Sequence, residues 1–345
     1  MKFATAIISA FLLVSSSSLI SSAPTSQGSQ KNGYLAVFGD SISDTGCLRN
    51  LKDSDTIGYW NGRFTDGPVW SDYASEYLGR SLINYSVGGA VVDNYITRNN
   101  DSQPSLKIQT KSFVDNKVYR GFLDKFVGII SYQASDLYHY LGNFTDSNFD
   151  PNKNVTAVAN SVVDSAVRLL DSGVQNVLVW NAPNTEVPLG RMFDAQDIIG
   201  QFVSIYNKTL ISRLDETKKR YADRISLIDM DKFVRISKSK PITEKLGITN
   251  TTGSCTENFG VTSPSIPVCK NPESYYYYDL AHYSVRISYL LGIAIGKGLS
   301  RGNKVEFTEA GLLQIIDEFD IKQSTAKKNY YIDHCPSGDC QTNWI

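Results

Sequence analysis

Five short apolar runs, separated by stretches with helical apolar spacing, restrict the possible folds of this chain more than any other feature. The runs span Tyr34–Phe38, Leu82–Val87, Phe126–Tyr132, Asn176–Trp180 and Ile225–Asp229. Strands that alternate with helices pair in parallel and are covered by helices on both faces. The sequence therefore predicts an α/β fold in three layers, α/β/α, around a central, mainly parallel five-stranded sheet. We find no repeat and no linker, and we expect one domain.

A serine stands directly after the first of these runs. Gly39 ends the run, and Asp40-Ser41 follows, which places the Ser41 hydroxyl at the carboxyl end of the strand. Ligands bind at that end in open α/β sheets. A serine held there can act as a nucleophile if a base and an oxyanion site are near. The alternative is an N-cap serine that begins a helix, which is the commoner role for a serine taken alone.

The beginning of the chain has the pattern of a secretory signal. A basic start at residues 1–3 is followed by an apolar core over 4–14 and by small residues up to Ala23. This core is too short to span a bilayer. We therefore expect a signal peptide over 1–23, a flexible leader over 24–32, and a secreted, extracellular protein without a transmembrane segment.

Glycosylation sequons agree with export. Asn-X-Ser/Thr begins at Asn100, Asn143, Asn154, Asn207 and Asn250, and we expect glycans at these five positions. A further sequon begins at Asn84, but this residue precedes a stretch that we expect to be buried. We therefore do not expect a glycan there.

Cysteine usage also fits an oxidising compartment. Cys255 and Cys269 lie in one loop-rich segment, and we expect them to pair. Closing a loop of about 15 residues is worth roughly 3 kcal/mol in the chain-entropy model. Cys335 and Cys340 are expected to form a small C-terminal ring. Cys47 is then left over, and we interpret it as a buried thiol.

Charge and histidine content exclude other classes of function. The formal net charge is −1, and the chain has no basic block, which gives no support to nucleic-acid binding or to attraction by anionic membranes. The three histidines, His139, His282 and His334, are too few for a multi-histidine metal site. We therefore expect no multi-histidine metal site.

Several blocks between about Tyr34 and Gly298 resemble the GDSL (SGNH) esterase/lipase family. They are Gly39–Gly46, Gly62–Trp70, Asn84–Gly89, Gln133–Asp136 and Asp279–His282. The resemblance implies the SGNH-hydrolase, flavodoxin-like form of the predicted fold. It implies a hydrolase domain over 33–300, followed by a C-terminal extension over 301–345 whose tail, Ile321–Ile345, has no counterpart in the family.

The resemblance implies a serine mechanism on carboxylic esters that needs no metal and no other cofactor. Ser41 would attack the ester carbonyl, with His282 as general base and Asp279 to orient the imidazole. A metal-binding pair is the alternative reading of Asp-x-x-His. The backbone N–H groups of Ser41 and Gly89 would hold the oxyanion, because glycine lets the backbone approach the substrate. A tight strand-to-helix turn is the alternative for Gly88-Gly89.

The block Gln133–Asp136 departs from the family pattern. The family usually has Gly-x-Asn-Asp here, and Ser135 takes the position of the asparagine that donates to the oxyanion. We expect Ser135 to be a weaker third donor, because serine is shorter than asparagine and offers a rotatable hydroxyl. Asn143 is another candidate, which we rank below Ser135.

Three further residues are expected to contact the substrate: Trp60 and Arg63, near the mouth of the site, and Asp136. The resemblance implies a small-molecule, lipid or acylated-sugar ester. A lipase-like or acyltransferase-like enzyme fits the blocks best, and a carbohydrate acetylesterase is the near alternative. Ser135 also motivates an alternative of another class, a binding protein on a catalytically weakened SGNH fold. We expect a monomer that binds no nucleic acid.

Overall fold

The computed structural model describes residues 33–47, 59–97, 103–132, 135–141, 150–183, 187–257 and 267–324. The predicted signal peptide and leader, Asn100, Asn143, Cys335 and Cys340 lie outside the described residues. Contacts divide the chain into residues 1–30 and 31–345, and all described residues belong to the second unit.

Strands and helices alternate along most of the described residues. The strands are β1 (Tyr34–Gly39), β2 (Ser81–Asn84), β3 (Phe126–Ser131), β4 (Asn176–Trp180), β5 (Ile225–Ile228), β6 (Asn250–Ser254) and β7 (Tyr275–Tyr277). The α-helices are α1 (Trp70–Leu78), α2 (Asn94–Thr97), α3 (Leu106–Asp115), α4 (Ser135–Tyr140), α5 (Pro151–Ser172), α6 (Pro188–Met192), α7 (Gln196–Tyr221), α8 (Met230–Ser237), α9 (Lys240–Leu246), α10 (Val285–Ser300) and α11 (Glu309–Glu318).

Five strands form one parallel sheet in the order β2-β1-β3-β4-β5. Ala36 of β1 lies opposite Ile83 of β2 on one side and Gly128 of β3 on the other. This is the flavodoxin-like order of a doubly wound sheet, so the predicted fold class is confirmed. The order reverses between β1 and β3, and ligands of such sheets bind in the crevice outside the carboxyl ends of the strands at this switch point.

Alternate residues of β1 enter two different core layers. Leu35 and Val37 belong to the layer that also contains residues of α1, α8, α9, α10 and α11. Ala36 and Phe38 belong to the layer that contains residues of α3, α4, α5 and α7. All four side chains are fully buried. A strand covered by helices on both faces must be apolar at successive positions, which explains the continuous apolar run at Tyr34–Phe38.

A second, two-stranded parallel sheet pairs β6 with β7. The sequence predicts only a long loop over residues 250–278, because β6 has no apolar run and β7 is a run of only three tyrosines. A disulfide joins Cys255, directly after β6, to Cys269. Cys269 N also donates to Cys255 O at 2.9 Å. The segment that leads to Asp279 is therefore held by a ladder and by a covalent bond.

The beginning of the predicted C-terminal extension packs on the same core as α10. Thr308 Oγ1 accepts a hydrogen bond from Gly311 N at 3.1 Å and caps α11. Phe307, Leu312 and Ile321 are buried in the layer that contains α1 and α10. Within the described ranges, no helix is both long enough and apolar enough to cross a membrane.

Candidate active site

The end of β1 requires glycine. Gln109 Oε1 accepts the N–H of Gly39 at 2.9 Å, and Gln109 Nε2 donates to Gly39 O at 2.9 Å. A Cβ on residue 39 would stand 2.7 Å from Ser131 Oγ. Because β1 and β3 approach so closely here, no larger residue fits without moving the strand end that carries Ser41.

Ser43 fastens the turn after β1 to its surroundings. Its hydroxyl lies 2.6 Å from Ser131 Oγ and accepts from Trp70 Nε1 at 2.7 Å. Its carbonyl accepts from Asn84 Nδ2 at 2.6 Å. Asn84 is 8% exposed and its amide is committed to this bond, which leaves little room for a glycan at the sequon that begins there.

Asp44 joins the serine turn to the loop that follows β2. Its Oδ1 accepts from the N–H groups of Gly46 and Cys47, and its Oδ2 accepts from Gly88 N at 2.7 Å. Gly89 is exposed and has φ +78°, a conformation that suits glycine. Its N–H has no acceptor among the described residues. Of the two glycines, Gly89 is therefore the one with a donor left for a ligand.

Ser41, His282 and Asp279 form one hydrogen-bonded chain. His282 Nε2 lies 2.7 Å from the Oγ of the half-buried Ser41. His282 Nδ1 lies 2.7 Å from each carboxylate oxygen of Asp279, which is fully buried. A carboxylate beside Nδ1 favours the tautomer with the proton on that nitrogen, so Nε2 is left to accept the serine proton.

The Asp279–His282 turn is fixed by its own backbone. Asp279 Oδ1 accepts from Ala281 N at 2.9 Å and from His282 N at 2.8 Å. Tyr278 N donates to His282 O at 2.8 Å, which closes the turn. In the described part of the chain, no three His, Cys, Asp or Glu side chains are grouped so that they could hold a metal ion. The arrangement matches a nucleophile, a base and an orienting carboxylate.

Tyr59 is a site residue that sequence reasoning missed. Its Oη donates to Asp279 Oδ2 at 2.6 Å, and the residue is 7% exposed. Tyr59 lies 220 positions before Asp279 in the sequence. No short-range pattern signals a contact of that span.

Arg63 is buried in an ion pair. Its guanidinium is 3% exposed and makes a bidentate contact with Asp72, with Nη2 to Oδ1 at 2.9 Å and Nε to Oδ2 at 3.3 Å. It also donates to Asn61 O and lies 5.0 Å from the ring centroid of Trp60. A cation held this way anchors a loop, and the contact of Arg63 with substrate stays a prediction. Trp60 is half-buried beneath this guanidinium, and its contact with substrate stays a prediction.

Asp136 connects two segments of the core. It is fully buried, and its carboxylate accepts from Val92 N at 3.0 Å and from the Thr97 hydroxyl. Burial, as the main cause, raises the pKa of Asp136 to about 7. The side chain therefore ties α4 to the segment after Gly89, and its contact with substrate stays a prediction.

Ser135 stands at the first position of α4 and is 8% exposed. Its Oγ donates to Asp40 Oδ2 at 3.1 Å. A hydroxyl carries one proton, so in this arrangement Ser135 does not offer it to a substrate oxygen. The role of Ser135 as a third oxyanion donor stays a prediction, because it requires that proton to turn away from Asp40.

Three predicted glycosylation sites lie in the described residues. Asn154 and Asn250 are half-buried, and Asn250 Oδ1 accepts from Gly253 N at 2.7 Å. Asn207 is held on both sides by Ala182, with Oδ1 accepting at 2.9 Å and Nδ2 donating at 2.7 Å. Asn207 is the least suited of the three to glycosylation, because a glycan on Nδ2 would have to leave the hydrogen bond from Nδ2 to Ala182 O intact.

Comparison with known proteins adds three relatives. The chain is 27% identical over 195 residues to "Secreted effector protein SseJ" of Salmonella typhimurium, covering 54% of this chain and 44% of that protein. It is 24% identical over 231 residues to "Phosphatidylcholine-sterol acyltransferase" of Aeromonas hydrophila, covering 64% of each. It is 23% identical over 290 residues to "Inactive GDSL esterase/lipase-like protein 25" of Arabidopsis thaliana, covering 75% of this chain and 69% of that protein.

The chain thus spans less than two thirds of the first two relatives' length. A solved structure of a family two carbohydrate esterase from Cellvibrio japonicus aligns with a TM-score of 0.33 and 14% identity, over 58% of this chain and 52% of that one. The model of the family described as GDSL-like Lipase/Acylhydrolase matches residues 35–287, which is most of the chain and includes every residue of the serine–histidine–aspartate group. This chain is a member of the GDSL-like lipase/acylhydrolase family, whose enzymes hydrolyse ester bonds.

Proposed function

We propose that the protein is a secreted carboxylic ester hydrolase that works through an acyl-enzyme. The observation that carries this proposal is the 2.7 Å contact between His282 Nε2 and Ser41 Oγ, with Asp279 behind the imidazole. A serine hydroxyl is a weak nucleophile until a base takes its proton. Membership in the family supports the same reaction class.

Acylation begins when Ser41 Oγ attacks the ester carbonyl and His282 Nε2 takes the proton. The imidazolium that forms is stabilised by the buried carboxylate of Asp279. The N–H groups of Ser41 and Gly89 stabilise the negative charge on the carbonyl oxygen. His282 then gives its proton to the leaving alcohol, and the acyl group stays on Ser41.

Deacylation repeats these steps with water. His282 removes a proton from water, which attacks the acyl carbon, and the carboxylic acid leaves as Ser41 recovers its proton. If an alcohol takes the place of water, the same steps transfer the acyl group to that alcohol. The name of the Aeromonas hydrophila relative supports an acyl-lipid substrate, and an acylated sugar is the alternative.

The triad is tested with p-nitrophenyl esters of increasing acyl length. Ser41→Ala and His282→Ala should lose nearly all turnover and remain folded, while Ser204→Ala, a change at an exposed serine of α7, should keep it. A fluorophosphonate should label Ser41 in the parent protein. Normal turnover by folded Ser41→Ala would refute the assignment. The preferred acyl length separates a lipase, which favours long chains, from an acetylesterase.

One observation favours a second candidate, a binding protein on a weakened esterase fold. Ser135 replaces an oxyanion donor, and its proton is donated to Asp40. A relative of similar identity carries the word "inactive" in its name. The second candidate would be supported if the folded protein bound ester lipids, turned over none of the ester series and left the fluorophosphonate unreacted.

Export is part of the proposal. The apolar stretch over 4–14 and the small residues before Pro24 support a cleaved signal, and the Cys255–Cys269 disulfide fits an oxidising compartment. Expression in a secreting host should release protein whose first residue lies close to Pro24. Protein retained inside the cell with Met1 intact would contradict the proposal.

A further inference from the structure

We propose that Tyr59 is a positioning residue that holds the Asp279 carboxylate in the orientation required by His282; this inference rests on the proposed ester-hydrolase function. Tyr59 Oη donates to Asp279 Oδ2 at 2.6 Å. A phenol that donates to a buried carboxylate makes a charge-assisted hydrogen bond, which is about twice as strong as a neutral one.

The two oxygens of Asp279 share a contact with His282 Nδ1 but differ in their other partners. Oδ1 accepts from two backbone N–H groups, those of Ala281 and His282. Oδ2 has only two partners among the described residues, His282 Nδ1 and Tyr59 Oη. Without the phenol, Oδ2 would depend on the imidazole alone, in a site where Asp279 is fully buried. The carboxylate could then rotate away from the plane of the ring.

The phenol is itself fixed by the loop that carries it, Tyr59–Asp66. The ring of Tyr59 packs edge-on against Tyr278 at 5.5 Å between centroids and against Phe64 at 6.1 Å. Phe64 lies 5.1 Å from the imidazole of His282, measured between ring centroids. The loop therefore contacts both members of the Asp279–His282 pair.

The far end of the loop is bonded to the segment beyond His282. Thr65 Oγ1 donates to Tyr283 O at 2.8 Å, and Asp66 Oδ1 accepts from Val285 N at 2.8 Å. The Tyr59–Asp66 loop thus makes contacts on both sides of the histidine, at residues 278–279 and 283–285. A loop held at both ends keeps its phenol at a fixed distance from Oδ2.

Tyr59→Phe removes the hydrogen bond and keeps the ring. Because a hydrogen bond to a charged group is among the stronger ones, kcat should fall about 30-fold. KM should stay within about twofold, since the effect arises when the imidazolium forms in the transition state. A carboxylate that has lost a donor attracts the imidazolium proton more strongly, so the acid limb of the pH–rate profile should move to higher pH.

The experiment compares Tyr59→Phe with Tyr221→Phe. Tyr221 is a matched control because its Oη donates to Asp171 Oδ1 at 2.5 Å, at the end of α7 that leads into the amino end of β5. Both variants lose a tyrosine–aspartate hydrogen bond, but only one of these bonds lies in the site. Ester turnover, its pH profile and fluorophosphonate labelling of Ser41 are measured for both, together with the far-downfield NMR signal of the His282 Nδ1 proton, which His282→Ala identifies.

The inference is supported if Tyr59→Phe alone loses turnover, slows Ser41 labelling and shifts the Nδ1 proton signal. An active parent protein with unchanged kcat, pH profile and Nδ1 signal in Tyr59→Phe would overturn it and leave the proposed function intact. An inactive parent that fails to label would instead contradict the proposed function. The Nδ1 signal still decides in that case, because it reports the orientation of Asp279 without turnover: a shift in Tyr59→Phe supports the inference and an unchanged signal refutes it.

Discussion

Replacing Arg63 by methionine tests whether this residue holds the structure or binds substrate. Methionine keeps much of the length of the side chain and removes the charge. The substitution removes the Arg63 guanidinium from the Asp72 carboxylate, whose side chain is 3% exposed. Asp72 Oδ2 also accepts a hydrogen bond from Val69 N at 3.0 Å, which holds the first turn of α1.

The expected loss is large for one substitution. Breaking a buried ion pair by removing one partner typically costs about 3–5 kcal/mol. For the roughly 250 residues that the structure describes, an unfolding entropy of roughly 2.1 cal/mol/K per residue gives about 0.5 kcal/mol/K. The melting temperature of Arg63→Met should therefore fall by about 6–9 °C. KM should not change in the protein that remains folded.

Thermal and urea unfolding measure the stability lost in Arg63→Met, and two further variants serve as controls. Arg235→Met removes an exposed helix pair with Asp231, and should change stability by less than about 1 kcal/mol. Adding Asp72→Asn to Arg63→Met should recover part of the loss, because the amide oxygen still accepts from Val69 N and no charge stays buried. An unchanged melting temperature together with a raised KM would refute the structural role and return Arg63 to the substrate.

Three other results are expected. Ser135→Asn should raise kcat by about tenfold, because an amide can donate to the Asp40 carboxylate and to the oxyanion together. If Ser135→Asn is folded but slower than the parent, and Ser135→Ala is equally slow, serine itself is the oxyanion donor. Burial raises the pKa of Asp136 from 3.8 to about 7, so its stabilisation is complete below about pH 4 and is lost as the pH rises through about 7. The unfolding free energy of the parent should thus decline over that range, by up to about 1.4 kcal/mol per pH unit from this group. Urea titrations should show a shallower decline with pH for Asp136→Asn, and equal pH slopes for the parent and the variant would contradict the assignment. Reducing the Cys255–Cys269 bond should lower ester turnover before global unfolding, followed by circular dichroism, and activity that survives until unfolding would disprove the link between that bond and the site.

The five-stranded sheet could be predicted because a buried strand shows in the sequence as a short continuous run of apolar residues. Leu35, Ala36, Val37 and Phe38 are apolar at successive positions, as a strand covered on both faces requires. Helices between the strands then allow only parallel pairing. The strand β6 shows no such run because its residues are polar or glycine. The strand β7 is only three tyrosines long, which is too short a run to indicate a strand even though Tyr276 and Tyr277 are fully buried.

The site was predictable only where a contact is short or a motif is shared. Asp279 and His282 are three residues apart, so their contact can be inferred from spacing. The partners of Arg63 and Asp136 depend on how deeply each charge is buried. The type of a charged residue does not indicate whether it lies at the surface or in the core. Tyr59 was missed for a third reason, because its partner lies 220 positions away.

The Ser41–His282 hydrogen bond joins residues that are 241 positions apart. The nucleophile follows the first strand of the sheet, and the base precedes α10, so the rest of the sheet lies between them in the chain. Contacts of such span form only after the intervening loops have closed, which makes them late events in folding. Ester turnover would thus report that the whole sheet has assembled. A nascent chain that ends before His282, or a partly folded intermediate, would hold Ser41 without its base. Under the proposed function, such a chain would leave esters untouched.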